Sequence, residues 1–179
     1  MVESVMTSEA FLAQSRRLLT DSYLPRIEHC VRGLSDEQLW WRANAESNSI
    51  GNLILHLAGN VRQWIVSGVG GSADTRERQR EFDERGPVAA PELLARITSG
   101  VGEADRVLAS IAPSTLLERR RIQSYDVTVL QAIYAGVEHF SMHTGQIIVL
   151  AKIWKGDLGF YELSNGVPHP TWGRGKEGD

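Results

Sequence analysis

Apolar residues recur at helical spacing along most of this chain. From about Ser8 to Arg32, the stripe Phe11, Leu12, Leu18, Leu19, Tyr23, Leu24, Ile27, Cys30 and Val31 predicts a first helix, loosened at Pro25 and stopped at Gly33. Leu34 to Trp41 reads as a connector holding one helical turn. Asn48 or Ser49 offers an N-cap for a second helix to about Ser67, with Ile50, Leu53, Ile54, Leu57, Val61, Trp64 and Ile65 as its apolar positions. Pro91 opens a third helix through Leu93, Ile97, Val101, Ala104 and Leu108, weakened by Gly100 and Gly102 and ended by Pro113. The fourth and longest starts with Asp126 as N-cap and ends near Trp154, with Gly156 beyond it. Its last third is apolar almost all round, which predicts a central position or a face meeting a second subunit.

Two stretches interrupt this pattern. Residues 73–90 surround Phe82 with charge, from Arg76, Glu77 and Arg78 to Glu81, Glu84 and Arg85. A solvated connection is the favoured reading; the sharper one is a link that crosses a bundle end and covers a pocket. The short run Arg121–Tyr125 is the best candidate strand, and from about 157 the Gly- and Pro-rich tail is expected to be irregular. The whole predicts an all-α fold: one four-helix-bundle domain over 1–179, with a long crossover between helices two and three.

Composition narrows the function classes. With 179 residues, 42% hydrophobic and 23% charged, the chain has the make-up of an ordinary globular domain with a sizeable core. A formal net charge of −3 gives no electrostatic footprint for nucleic acid. No apolar run approaches the about 18 residues needed to span a bilayer, so no membrane partner is expected. The sole cysteine, Cys30, rules out an internal disulfide framework and suits a reducing, cytoplasmic setting, as does an N-terminus without a signal-peptide pattern.

Chemistry concentrates in three histidines. His139 and His143 stand four apart and share one face of the fourth helix; His56 lies among aliphatic residues on the second. Each alone is a weak signal, because a lone core histidine more often satisfies a hydrogen bond than ligates. Their coincidence on the two helices most suited to the core points to a shared purpose, since separately buried imidazoles would strand polar nitrogens. Three neutral imidazoles converging from two helices would hold Zn, Ni or Fe(II) with open positions. Asn52 and Asn60 flank His56 at i−4 and i+4, and Gln146 follows His143 by three, so each is a candidate to orient an imidazole or a bound water. Glu138 should point outward, and His29 and His169 should lie at the surface. Trp40, Trp41, Trp64 and Trp154 read as fillers, and Arg119–Arg121 as a solvated connector.

The segments Asn48–Asn60 and Val137–Ile147, supported by Leu34–Trp40 and Arg78–Phe82, resemble the two signature segments of the DinB-like (YfiT-like) superfamily. The resemblance reaches to about Lys155. It implies a four-helix bundle with a long crossover, a homodimer, and a divalent metal held by His56, His139 and His143. Relatives in that superfamily include thiol-dependent isomerases and S-transferases. The resemblance thus implies a small-molecule substrate and a low-molecular-weight thiol as second cofactor, with thiol transfer to an electrophile ranked first. Metal-assisted hydrolysis ranks second, and a non-catalytic metal-binding or stress-related dimer third. The reactive group would be a metal-bound thiolate or water rather than a side chain.

Overall fold

The computed structural model describes residues 2–172; the expected domain's first residue and its end at 173–179 lie outside the described residues. The chain is mostly helical, with two small hairpins.

Helix α1 (Val2–Arg17) widens into a π-helical stretch at Leu18–Tyr23 and resumes as α2 (Leu24–Val31). Pro25 explains the widening: it has no N–H for the carbonyl one turn back, and its ring crowds that turn. Gly33, at φ 80°, turns the chain away past the C-cap Arg32. Helix α3 (Asp36–Trp40) is a single turn held by a capping box between Ser35 and Gln38.

Helix α4 (Ile50–Val61) starts at Ser49, whose hydroxyl accepts from the Asn52 N–H while the Asn52 side chain caps Ser49 in return. It runs on through a second π-helical stretch, Arg62–Val69. The charged link then differs from a solvated connection: it contains helix α5 (Arg78–Asp83), and Glu81, Phe82 and Glu84 on it are half-buried. Helix α6 (Ala90–Ser110) begins with Pro91 in its first turn and ends before Pro113. Gly100 has a packing reason: a Cβ there would come within 3.2 Å of Val61 Cγ1, so α4 and α6 approach closely.

A 3₁₀ turn (Pro113–Leu117) leads to β1 (Arg119–Ile122), paired antiparallel with β2 (Tyr125–Thr128). This hairpin moves the start of α7 (Val129–Lys155) past the expected Asp126. Residue 126 is committed to pairing with Arg121, and Thr128 is the N-cap, in a capping box with Gln131. The tail is also more regular than its composition predicts: β3 (Tyr161–Ser164) and β4 (Val167–Pro170) form a second antiparallel hairpin turned at Asn165 and Gly166.

Helix α4 packs against both α6 and α7, and α7 also packs on α2. One continuous core results, in which Leu19, Ile27, Ile54, Leu57, Ile97 and Phe140 are almost wholly buried. Trp40 packs against that core, and its indole N–H donates to Val88 O at 3.1 Å. Toward its C-terminus α7 leaves Val149, Ile153 and Trp154 exposed. Among the described residues, no helix is long and apolar enough to cross a membrane.

Candidate metal centre

Helix α4 brings one imidazole and α7 two, and the packing of α4 on α7 makes them meet. His56 is 3% exposed and His143 9%, whereas His139 is half-buried. Ring centroids lie 4.9 Å apart for His56 and His139, 5.0 Å for His56 and His143, and 4.4 Å for His139 and His143. One ligating atom from each ring falls within 4.8 Å of the others, so the group could hold a metal ion. His56 Nε2 and His139 Nε2 stand 2.7 Å apart, a distance at which one ring donates a proton to the other.

The far side of His56 carries a partner that sequence reasoning missed. Its Nδ1 lies 2.9 Å from Glu81 Oε2. Arg76 grips the same carboxylate with two bonds, Nε to Oε1 at 2.7 Å and Nη2 to Oε2 at 2.8 Å. Both side chains are buried, at 5% exposure for Arg76 and 11% for Glu81. Arg76 also donates to Gln63 Oε1, whose amide reaches Asp74, and Gln123 donates to the same oxygen. Gln63 belongs to the π-helical stretch after α4, so the wider turn faces this network. Gly59 leaves the room: a Cβ there would land on the Glu81 carboxylate and within 2.9 Å of Arg76 Nε. The usable signal was Phe82, the lone large hydrophobe of a charged stretch, whose ring packs 4.7 Å from that of His56.

The other expected residues divide. Gln146 Oε1 lies 2.6 Å from His143 Nδ1; an amide oxygen accepts there, so that nitrogen carries the proton and Nε2 is left free. Asn52 forms no hydrogen bond to an imidazole among the described residues. Its oxygen serves the helix cap and accepts from Arg42 at 2.6 Å, and its amide donates to the carbonyls of Glu81 and Glu84 at 2.8 and 3.0 Å. It therefore bolts the link to α4. Asn60 is 7% exposed, and its Oδ1 is buried without a hydrogen-bond partner. Glu138 is exposed, as expected. His29 is half-buried instead, with Nε2 2.7 Å from Leu158 O, and exposed His169 pairs across the tail hairpin with Glu162.

Burial pushes His139 down to about 4, helped by the positive fields of His143, His56, Arg76 and Arg78. Burial likewise lowers His143, against its hydrogen bond to the Gln146 oxygen, and His56 adds to the lowering. Burial alone would raise Glu81, but the hydrogen bonds from Arg76 and His56 outweigh it and hold the carboxyl below its ordinary value. His139 and His143 are thus kept neutral, the ligating form, beside an ionised carboxylate. A cavity of about 300 Å³ opens beside His139, lined by Asn60, Trp64, Arg78, Gln123, Tyr125 and Glu138.

Residues 6–164 match the family described as protein of unknown function, DUF1572. The chain belongs to that family. The matched span contains all three histidines together with Arg76, Glu81 and Gln146, so every part of the cluster lies inside the DUF1572 region. A search of curated proteins finds no match to the chain.

Proposed function

We propose that this DUF1572 protein is a DinB-like four-helix bundle with a long crossover, in which His56, His139 and His143 hold one divalent ion (Zn, Ni or Fe). We further propose that it catalyses transfer of a low-molecular-weight thiol to a small electrophile in the cytoplasm. The observation that carries this reading is the convergence of three imidazoles on one point. The residues fit such an ion: two of the rings have a second nitrogen tied to an acceptor, which directs their remaining nitrogens inward. Asn60 Oδ1 adds a buried acceptor in want of a donor.

A divalent ion held by neutral imidazoles supplies Lewis acidity and lowers the proton affinity of a thiol or water bound to it. The chain's own contribution is positioning and charge. Gln146 fixes the orientation of His143, and Arg78 places a positive charge on the cavity wall that would pair with an anionic sulfur. Trp64 and Tyr125 supply flat apolar area for the electrophile. A second copy of the chain is assigned to the exposed apolar positions Met142 and Val149 of α7, which with Leu53 and Leu150 line a groove of about 740 Å³.

The test is elemental analysis of the purified chain, with close to one divalent ion per chain expected and its loss in His143→Ala. Retention of the ion by that variant overturns the ligand assignment. A panel of thiols against electrophiles then tests transfer. Hydrolysis without any thiol would replace the transfer reading, and a loaded protein inert in both assays would leave only metal binding.

A further inference from the structure

The link between α4 and α6 contributes a residue to the centre, and this inference rests on the three-histidine reading. We propose that Glu81 is the positioning residue of the metal centre, holding His56 as the Nδ1–H tautomer so that Nε2 presents its lone pair to the ion.

Two groups compete at His56 Nδ1: Glu81 Oε2 at 2.9 Å and Arg76 Nη2 at 3.1 Å. They require opposite tautomers, because a carboxylate only accepts and a guanidinium only donates. The competition is decided by what Arg76 does elsewhere. Its Nη2 gives one N–H to Glu81 Oε2 and has the His56 backbone oxygen at 3.4 Å for the other, while its Nε donates to Oε1, a pairing that uses the fork geometry of both groups. A bare Nδ1 would face a carboxylate lone pair at hydrogen-bond distance in a site where Glu81 is 11% exposed, which the low local dielectric penalises. Nδ1 therefore carries the proton. With Nδ1 so occupied, Nε2 is the ligating atom, and it is the atom that already faces His139.

The rest of the link is built to hold this carboxylate still. Asn52 takes the backbone carbonyl of Glu81, Arg42 reaches the carbonyls of Phe82 and Glu84, and Gly59 leaves the space that the carboxylate fills. A charge-only role would need none of these; fixing the angle of a ring does.

The experiment uses the full chain labelled with ¹⁵N in its imidazoles. In protein stripped of metal, the ring-nitrogen shifts of His56 are expected to report Nδ1–H. Glu81→Gln keeps one accepting oxygen and must turn its NH2 toward Arg76 Nε or toward His56 Nδ1; with the oxygen drawn to the Arg76 fork, it should lose that signature. It should also weaken Zn²⁺ binding, by roughly 10- to 100-fold. Gly59→Ala, which leaves Glu81 chemically intact but displaces it, should act in the same direction, whereas a purely electrostatic role would leave the tautomer unmoved. Wild-type His56 protonated on Nε2, or Glu81→Gln with unchanged tautomer and Zn²⁺ affinity, overturns the role of Glu81 while leaving the three-ligand reading intact. A wild-type chain that takes up no Zn²⁺ overturns the metal reading itself.

Discussion

Glu81 meets His56 Nδ1 at 2.9 Å across 25 residues of chain, and Arg76 locks that carboxylate from its other side. The contact makes the charged link part of the site, so the energetics of the link and of the histidines are one problem.

Arg76→Ala should cost about 3 to 5 kcal/mol of folding stability, because it leaves a buried carboxylate without its cation; Gln63 Oε1 loses one donor but keeps Gln123. Arg16→Ala breaks a pair of similar length with Asp105, but that pair is far more exposed, and the loss should stay below about 1 kcal/mol. Urea denaturation of both variants checks the contrast; equal losses would contradict it.

Asn52→Ala removes the side-chain half of the Ser49 capping box and two bonds to link carbonyls in one step. Half a capping box is worth at most about 1 kcal/mol and the Glu81 carbonyl left without its donor about 1 to 3 more, so a total of about 1 to 4 kcal/mol is expected, while the Glu84 carbonyl keeps Arg42. Faster proteolytic cleavage between residues 73 and 90 should accompany it. A destabilised variant whose link is cut no faster would mean that Asn52 acts on the helix alone.

Acid should weaken the metal-free fold over a defined window. The His139 pKa drops from an ordinary 6.5 to about 4 in the folded chain, and His143 is also lowered, both through burial. The unfolded chain then binds more protons between these values, so stability is full above about pH 6.5 and is lost as pH falls toward 4. Melting temperatures measured from pH 7 to 4 should show this slope, and His139→Gln should flatten it. An unchanged slope in that variant would place the titration elsewhere.

Gly51→Ala should disturb the contact between α4 and α3, since a Cβ there would lie 2.8 Å from the ring of Trp40. A loss of about 1 to 3 kcal/mol is expected, with a shifted tryptophan emission maximum as the indole–Val88 bond yields. Wild-type emission and stability would show that the ring moves aside without strain.

The helical stripes were legible because burial imposes their period: Ile27, Ile54, Leu57 and Ile97 are where the pattern puts them. The three histidines were legible for a similar reason, since a four-residue spacing fixes two rings on one face. Helix α7's start was misjudged because Asp126 is a good cap in isolation, whereas its side chain is held by Arg119 across the hairpin. The Thr128–Gln131 pair carried the better signal, two caps acting reciprocally. Arg76 and Glu81 were missed because charge in a connector normally means solvent. Phe82 was the one sign in sequence that this stretch turns inward; that Arg76 and Glu81 neutralise each other there is shown only by the fold.

By composition, residues 73–90 look like the most expendable stretch of the molecule, the first place an engineer would trim for a tighter, more heat-resistant variant. Glu81 reverses that judgement. Any shortening or graft that shifts its register leaves α4 and α7 intact but frees the ring of His56 to rotate, so a sturdier scaffold would carry a slack centre.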